Sequence, residues 1–266
     1  MISKENIICL DYIYKDETEK INEIVSHTVN TWQQDRTYNV KKNDTSIGKK
    51  AEDIIEYYVK KNINDLLYIS YDDFRNDNFE KHAPFDGLLL SKNFNKEELF
   101  RIIQLINEDI KNGQYGKLHY TTKQEIIKYN IKIVEIKSTR ITDRHKNNNT
   151  IIFEVILEDD FLTYPKYLRI DKYGSLTEEK YYEYCKRKNN KYFINEELYN
   201  MSDIYIRIYM DEQNSKGYII GWIDTNTFFK MKKMKKMPKP GKSEKAVYWA
   251  TNLKNGYPIS DLTIKF

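Results

Sequence analysis

Helical periodicity marks several parts of the chain. Apolar residues recur three and four positions apart, the spacing of one helix face, in residues 17–32, 45–62, 96–112 and 122–129. A hydroxyl side chain at Thr45 is suited to cap the second of these helices. The polar residues 33–44 are predicted to form a loop. A further helix is predicted at 178–188 and another at 225–234.

Short apolar runs, alternating in places with polar residues, predict strands between these helices. They cover residues 66–71, 79–90, 131–140, 151–157, 204–209 and 218–223, and the last two form a hairpin. Helices mixed with strands predict an α/β fold. We expect a single domain over residues 1–266, with an N-terminal helical segment at 1–44 and a helical insertion at 93–130.

Composition limits the expected partners and the expected location of the protein. Lys and Arg number 44 and Asp and Glu 40, so a nucleic-acid surface would need local segregation of charge. The two cysteines, Cys9 and Cys185, are far apart in sequence, lie in strand-like or helix-like runs and are expected to be reduced thiols. No secretory signal is visible, and no apolar run approaches the roughly 20 residues that span a bilayer. A cytoplasmic protein without a membrane partner is therefore expected.

The strand predicted at 131–140 carries the main candidate chemistry. Side chains alternate faces along a strand, so Glu135 and Lys137 share one face while Val134 and Ile136 share the other. A carboxylate binds a hard divalent cation, and a neighbouring lysine can orient or deprotonate a water. The alternative for this pair is an exposed ion pair on an edge strand.

Two further acids are candidates for the same site. Asp86, in Pro84-Phe85-Asp86-Gly87, enters an apolar strand, where burial of a carboxylate is costly unless it is paired or binds an ion. An ordinary turn aspartate before glycine is the alternative. Glu52 lies beside Ala51 at the margin of an apolar helix face. It either reaches the site or only complements the helix dipole.

Together these residues resemble the signature of the PD-(D/E)xK nuclease superfamily, the fold of many restriction endonucleases. The resemblance implies an αβββαβ core, with a central mixed sheet flanked by helices, to which this chain adds the helical insertion and further strands. It implies Mg²⁺, or Mn²⁺ in its place, held by Asp86, Glu135 and the carbonyl of Ile136, with Glu52 as an outer or second-metal ligand. Lys137 would then act on the attacking water. The spacing between Asp86 and Glu135 is longer than the smallest members of the superfamily have.

Basic side chains near the site and near the C-terminus are candidates for DNA contacts. Arg140 and Arg144 follow the Glu135–Lys137 pair, and residues 230–242 form the one dense basic run, which proline and glycine at its end predict to be a loop. The lysines expected to contact phosphates are Lys232, Lys233, Lys235 and Lys236. Solvated basic loops are the alternative.

These observations predict a metal-dependent DNA endonuclease. A type II restriction enzyme that cuts a specific double-stranded sequence as a homodimer is the first expectation. A repair, recombination or phage nuclease of the same superfamily is the second, and a nucleic-acid-binding module without cleavage is the third. The sequence names no recognition site, because base-reading residues follow no transferable code.

Overall fold

The structure is a computed structural model of the 266-residue chain. It describes residues 1–13, 18–27, 37–81, 83–113, 118–163, 199, 201–238 and 245–263. These residues form a mixed α/β structure around a six-stranded sheet, with several helices and a second, three-stranded sheet. The helix predicted at 178–188 lies outside the described residues.

The helices and strands have the following bounds. The helices are α1 (Thr18–His27), α2 (Tyr38–Asn62), α3 (Lys96–Asn112), α4 (Tyr120–Lys128), α5 (Phe153–Leu157) and α6 (Thr225–Met231). The strands are β1 (Ile8–Asp11), β2 (Leu66–Ser70), β3 (Gly87–Ser91), β4 (Lys132–Arg140), β5 (Lys146–Asn147), β6 (Thr150–Ile151), β7 (Asp160–Thr163), β8 (Ile204–Asp211), β9 (Lys216–Asp224), β10 (Lys233–Pro238) and β11 (Lys245–Asn252).

The large sheet has the strand order β1-β9-β8-β4-β3-β2. Strands β2, β3 and β4 are antiparallel neighbours, β4 and β8 run parallel, and β8 and β9 form an antiparallel hairpin. A parallel pair needs a long crossover connection, and residues 141–203 supply it here. The sheet is therefore mixed, with β4 at its centre. The small sheet has the order β10-β11-β7 and is antiparallel throughout.

Strand alternation divides the core between the two faces of the large sheet. Val134 and Ile136 of β4 pack with Ala51, Ile54 and Ile55 of α2 in one apolar cluster. On the other face, Ile131 and Ile133 pack with α3 and α4, while Tyr205 and Tyr209 of β8 pack with α5, α6 and β11. Glu135 and Lys137 alternate with Val134 and Ile136, so they point to the face opposite α2.

Several predicted elements are confirmed. Strands β2 and β4, helices α3 and α4, and the hairpin of β8 with β9 lie where the apolar pattern places them. The capping side chain at the start of α3 is Asn95, whose Oδ1 accepts from the N–H groups of Glu97 and Glu98 at 2.8 and 3.1 Å. Strong periodicity over a long segment, or alternation over a whole strand, specifies these elements without help from distant contacts.

Five local predictions are wrong. The strand predicted at 79–90 begins only at Gly87. The N-terminal segment is not purely helical, because residues 8–11 form β1 at the edge of the large sheet. Residues 38–44 belong to α2, so Thr45 is inside a helix and caps nothing. Residues 153–157 form α5 where a strand was expected. Helix α6 ends at Met231, and part of the basic run predicted as a loop is β10.

Two of these errors have a clear tertiary cause. Strand β1 pairs with β9 over Ile8 to Asp11, and β10 pairs with β11 from Lys233 to Pro238. Pairing with a distant strand overrides a weak local preference, because each backbone group gains a partner that the local pattern does not reveal. None of the described helices is long and apolar enough to cross a bilayer.

Candidate active site

Asp86 lies where β3 begins, beside the middle of β4. Its backbone N–H donates to the carbonyl of Val134 at 3.1 Å, and its Oδ2 accepts from the N–H of Ile136 at 2.5 Å. The aspartate is thus held against β4 by both its backbone and its side chain. This contact places the Asp86 carboxylate next to the residue that separates Glu135 from Lys137.

The glycine after Asp86 has a packing reason. A Cβ atom at Gly87 would overlap the ring of Tyr68, so a side chain at this position would force that ring to move. The hydroxyl of Tyr68 in turn donates to the carbonyl of Asp86 at 3.2 Å. The Asp-Gly pair is therefore not a hairpin turn here. It is the point where β3 begins and where Tyr68 of β2 supports the backbone of the aspartate.

Glu135 and Lys137 form an ion pair on one face of β4, as strand alternation predicts. The Lys137 ammonium donates to Glu135 Oε1, and the hydroxyl of Ser202 donates to Glu135 Oε2 at 3.3 Å. The side chain of Glu135 is 14% exposed and that of Lys137 is 38% exposed. The pair is therefore open to solvent mainly through the lysine.

The carbonyl of Ile136 points toward Asp86. In a strand, the N–H and C=O of one residue project to the same side, and the Ile136 N–H is bound to Asp86. The pairing of β3 with β4 ends at Gly87 and Val134, so no β3 residue is paired with Ile136. The Ile136 carbonyl therefore lies on the same side of β4 as the Asp86 carboxylate, and Glu135 precedes it on the strand.

The pKa of the Asp86 carboxyl is raised for two reasons. Burial raises the pKa of the Asp86 carboxyl, and the negative charge of Glu135 raises it further. The charge of Lys137 and the hydrogen bond from Ile136 oppose this rise without cancelling it. A cation bound between two carboxylates in a partly buried site would offset the repulsion between their negative charges.

Glu52 lies on the other side of the site, on α2. Its carboxylate accepts from the Lys49 ammonium at 2.8 and 2.9 Å, and Lys49 also contacts Asp72 Oδ2 at 2.5 Å. Burial raises the pKa of Glu52, with Asp86 and Asp72 adding to the rise and Lys49 opposing it. Glu52 is therefore near Asp86, but α2 packs on the face opposite Glu135.

The donor atoms fit Mg²⁺ or Mn²⁺ in chemistry, although they form no closed cage. Across the described ranges, no three acidic, histidine or cysteine side chains are gathered as a ready-made metal centre. Mg²⁺ keeps several waters and is commonly held by one or two carboxylates together with a substrate phosphate. Asp86, Glu135 and the Ile136 carbonyl meet that requirement, and Glu52 is engaged by Lys49.

The two arginines expected to contact DNA are occupied within the protein. Arg140 donates to Asp44 and Glu212, each at 2.6 Å. Arg144 binds both oxygens of Asp159, at 2.8 and 2.6 Å. Their charges are already matched by carboxylates, so neither is an uncommitted phosphate ligand in this structure.

The lysines of the basic run differ from one another. The Lys232 ammonium lies 3.3 Å from the centre of the Phe229 ring and 4.8 Å from that of Trp249. Lys235 contacts Asp160 at 2.6 Å. Lys233 is exposed, and the side chain of Lys236 lies outside the described residues. The described lysines of this run are therefore not equally placed to meet a phosphate.

Sequence reasoning missed four residues around the site. Lys49, Asp72 and Ser202 contact the candidate acids or their partners, and Arg207 lies on β8 beside Lys137. Lys49 precedes Glu52 by three positions on a helix, a spacing at which side chains meet, so this contact was open to prediction. The other three come from elements distant in sequence, and no local pattern indicates them.

Comparison with known proteins adds no relative to this picture: no family model, curated protein or solved structure matches the chain.

Proposed function

We propose that the protein is a metal-dependent DNA endonuclease that hydrolyses phosphodiester bonds, with Asp86, Glu135 and Lys137 as its catalytic residues. One observation carries the proposal. The Asp86 carboxylate is bound to the backbone N–H of Ile136, between Glu135 and Lys137, although Asp86 and Glu135 are far apart in the sequence. Two carboxylates and a lysine on adjacent strands suit hydrolysis of a phosphate ester.

The order of elements supports a restriction-endonuclease-like core. Helix α2 is followed by the three antiparallel strands β2, β3 and β4, and β8 returns parallel to β4. These five elements follow the order of an αβββαβ core, with β5, β6, α5 and β7 as additional elements between β4 and β8. The second core helix would correspond to the helix predicted at 178–188. In that arrangement α3 and α4 are an insertion between the second and third strands of the core.

The chemistry assigns a role to each group. Asp86, Glu135 and the Ile136 carbonyl would hold Mg²⁺ or Mn²⁺, which when bound supplies positive charge to the phosphate and acidifies a coordinated water. Lys137 is half-exposed at the mouth of the site, where its ammonium donates to Glu135. As an ammonium, Lys137 would orient the attacking water; it would take a proton from that water only after losing one of its own to solvent.

Glu52 has a supporting role in this proposal. Its carboxylate is bound to Lys49 and repels Asp86. It therefore sets the charge around Asp86 from the α2 side, and we assign it no direct contact with the scissile phosphate. Lys49 holds it in that position and is itself held by Asp72.

A type II restriction enzyme is the form of this activity that we favour, with double-stranded DNA as substrate. A homodimer would present one site to each strand of a palindromic sequence.

Supercoiled plasmid incubated with Mg²⁺, with Mn²⁺ and with excess chelator tests the proposal. Cleavage that requires the metal supports it, and a discrete band pattern supports the restriction form over a repair or phage nuclease. Full cleavage in excess chelator would overturn the metal mechanism, and binding without cleavage would leave only a DNA-binding module.

A further inference from the structure

Arg207 is a buried cation for which the described residues supply no acidic partner. It lies in β8, all eight residues of which are buried, and it is 6% exposed. Within the described ranges its Nε has no hydrogen-bond partner, and its Nη2 donates to the hydroxyl of Thr139 at 2.7 Å. The guanidinium carbon also lies 5.2 Å from the centre of the Tyr209 ring. Neither Thr139 nor the Tyr209 ring carries a negative charge.

The other arginines in the described part of the chain are all matched by acids. Arg75 contacts Asp72 and Asp77, and Arg101 contacts Glu98 and Glu125. Arg140 and Arg144 likewise contact carboxylates.

Asp159, which accepts from the hydroxyl of Tyr209 on β8, is also bound by another arginine, Arg144. Arg207 therefore differs from every other arginine that the structure describes.

A buried charge without a partner is costly to the fold, and a ligand of opposite charge removes that cost. A guanidinium matches a phosphate especially well, because its planar fork offers parallel N–H donors to two oxygens. The Nε of Arg207 is one such donor. An anion that reaches the Arg207 guanidinium would pair its charge and accept from the Nε N–H at the same time.

The position of Arg207 ties this anion to the proposed active site. Arg207 is the direct neighbour of Lys137 across the parallel strands β4 and β8. Alternation places Glu135, Lys137 and Thr139 on one face of β4, and the contact with Thr139 puts the Arg207 side chain on that same face. Thr139 is partly exposed, and its hydroxyl accepts from Arg207, which leaves its own proton to donate.

We propose that Arg207 and Thr139 form a phosphate-binding subsite beside the strand that carries Glu135 and Lys137. It binds a backbone phosphate of the cleaved strand next to the phosphate that Lys137 approaches. The identity of this anion as a nucleic-acid phosphate rests on the proposed nuclease function. The subsite gives the buried charge on β8 its partner, and it shifts the main DNA contact near the site from Arg140 and Arg144 to Arg207.

The test measures binding of a fluorescent DNA duplex by anisotropy, in Ca²⁺ or in chelator so that binding is read without cleavage. Arg207→Gln is compared with wild type and with Arg101→Gln, which removes the same charge from an exposed ion pair on α3. We expect Arg207→Gln to lower affinity about tenfold and to reduce the slope of log affinity against log salt by about one. Arg101→Gln should change neither.

A second arm removes the charge from the DNA. A set of duplexes, each with one phosphate replaced by a neutral methylphosphonate, is titrated with wild-type protein. At one position the replacement should lower affinity by about the same factor as the Arg207→Gln substitution does. That same duplex should bind Arg207→Gln no more weakly than unmodified DNA does. Arg207→Lys, which keeps the charge but loses the fork, should retain the salt slope. If Arg207→Gln does not fold, the scan is repeated with Arg207→Lys, which should bind unmodified DNA more weakly than wild type and lose less affinity than wild type at the sensitive position. An Arg207→Lys protein that matches wild type on both duplexes overturns the subsite.

The outcomes separate the two proposals. Wild-type protein that neither binds nor cuts DNA overturns the nuclease function, and with it the identity of the anion. Wild-type protein that cuts DNA, together with an Arg207→Gln variant of unchanged affinity and salt slope, overturns the subsite and leaves the nuclease standing. The subsite is also overturned if every methylphosphonate position weakens DNA binding by wild type and by Arg207→Gln to the same extent.

Discussion

Two lysine–glutamate pairs lie near Asp86, and they differ in the exposure of the lysine and in the number of acids that the lysine contacts. Lys137 and Glu135 lie on β4, with the lysine side chain 38% exposed. Lys49 and Glu52 lie on α2, with side chains 16% and 14% exposed, and Lys49 has a second acid in Asp72, which is 3% exposed. The first pair opens to solvent, and the second is enclosed in a network of charges.

The difference separates a reactive pair from a supporting one. An enclosed lysine shared by two acids is held in place, because release of either contact leaves a charge unpaired in a poorly solvated setting. Burial lowers the pKa of Lys49, but Glu52 and Asp72 outweigh that effect and raise it. Lys49 therefore stays charged and holds its partners. Lys137 combines its contact with Glu135 with access to water, which a group that acts on a water requires.

The largest effect is expected on the exposed pair. Glu135→Gln and Lys137→Ala should each lower the rate of DNA cleavage by about a hundredfold or more, the scale of general acid–base and electrostatic contributions. The measurement is single-turnover cleavage of plasmid or duplex DNA at saturating Mg²⁺, with circular dichroism as the folding control. DNA binding should persist in both variants. Retained cleavage by either well-folded variant would remove β4 as the active-site strand.

Asp86→Asn should resemble Glu135→Gln in cleavage. The asparagine keeps an oxygen for the Ile136 N–H but loses the negative charge that would hold the metal. Glu52→Gln is the matched comparison, since it removes a charge from the α2 side of Asp86, and its loss of activity should be several times smaller. Equal losses in the two variants would show that Glu52 is a full ligand and would erase the distinction between the two pairs.

Lys49→Met should lower the free energy of unfolding. It removes the shared partner of Glu52 and Asp72 from a setting where breaking one side of a buried pair costs about 3 kcal/mol or more. Chemical denaturation measured by circular dichroism gives the free energy of unfolding. Lys137→Met is the comparison and should lower that free energy less, because the Lys137 side chain is 38% exposed against 16% for Lys49 and serves one acid instead of two. A stable Lys49→Met protein would show that the α2 network does not support the fold.

The smallest effect is expected in the basic run, where the same contrast between open and engaged lysines recurs. Lys233→Gln should weaken duplex binding about twofold and flatten its salt dependence slightly, because Lys233 is exposed. Lys235→Gln should weaken binding less, since Lys235 is paired with Asp160 at 2.6 Å. Anisotropy titrations at several salt concentrations measure both. Identical behaviour of the two variants would mean that the Asp160 contact does not restrain Lys235.

Elements with strong periodicity could be predicted from the sequence. Helices α3 and α4, strands β2 and β4 and the β8–β9 hairpin follow from apolar spacing that needs no knowledge of distant contacts. The shared face of Glu135 and Lys137 follows in the same way, because a strand repeats every two residues. The residues that pack against that face cannot be predicted in this way, because alternation shows only that two side chains project from the same face of the strand.

The other features depend on contacts between distant parts of the chain. Strands β1 and β10 exist because partner strands complete their hydrogen bonds. Asp86 reaches the Glu135–Lys137 pair only because β3 and β4 pair in one register.

The matching of charges is likewise a tertiary result. Arg140 looks available in the sequence and is paired with two acids in the fold. Arg207 alternates within an apolar strand, and the described part of the chain brings no acid to it. Charge partners are set by distances across the folded chain, which sequence spacing does not encode.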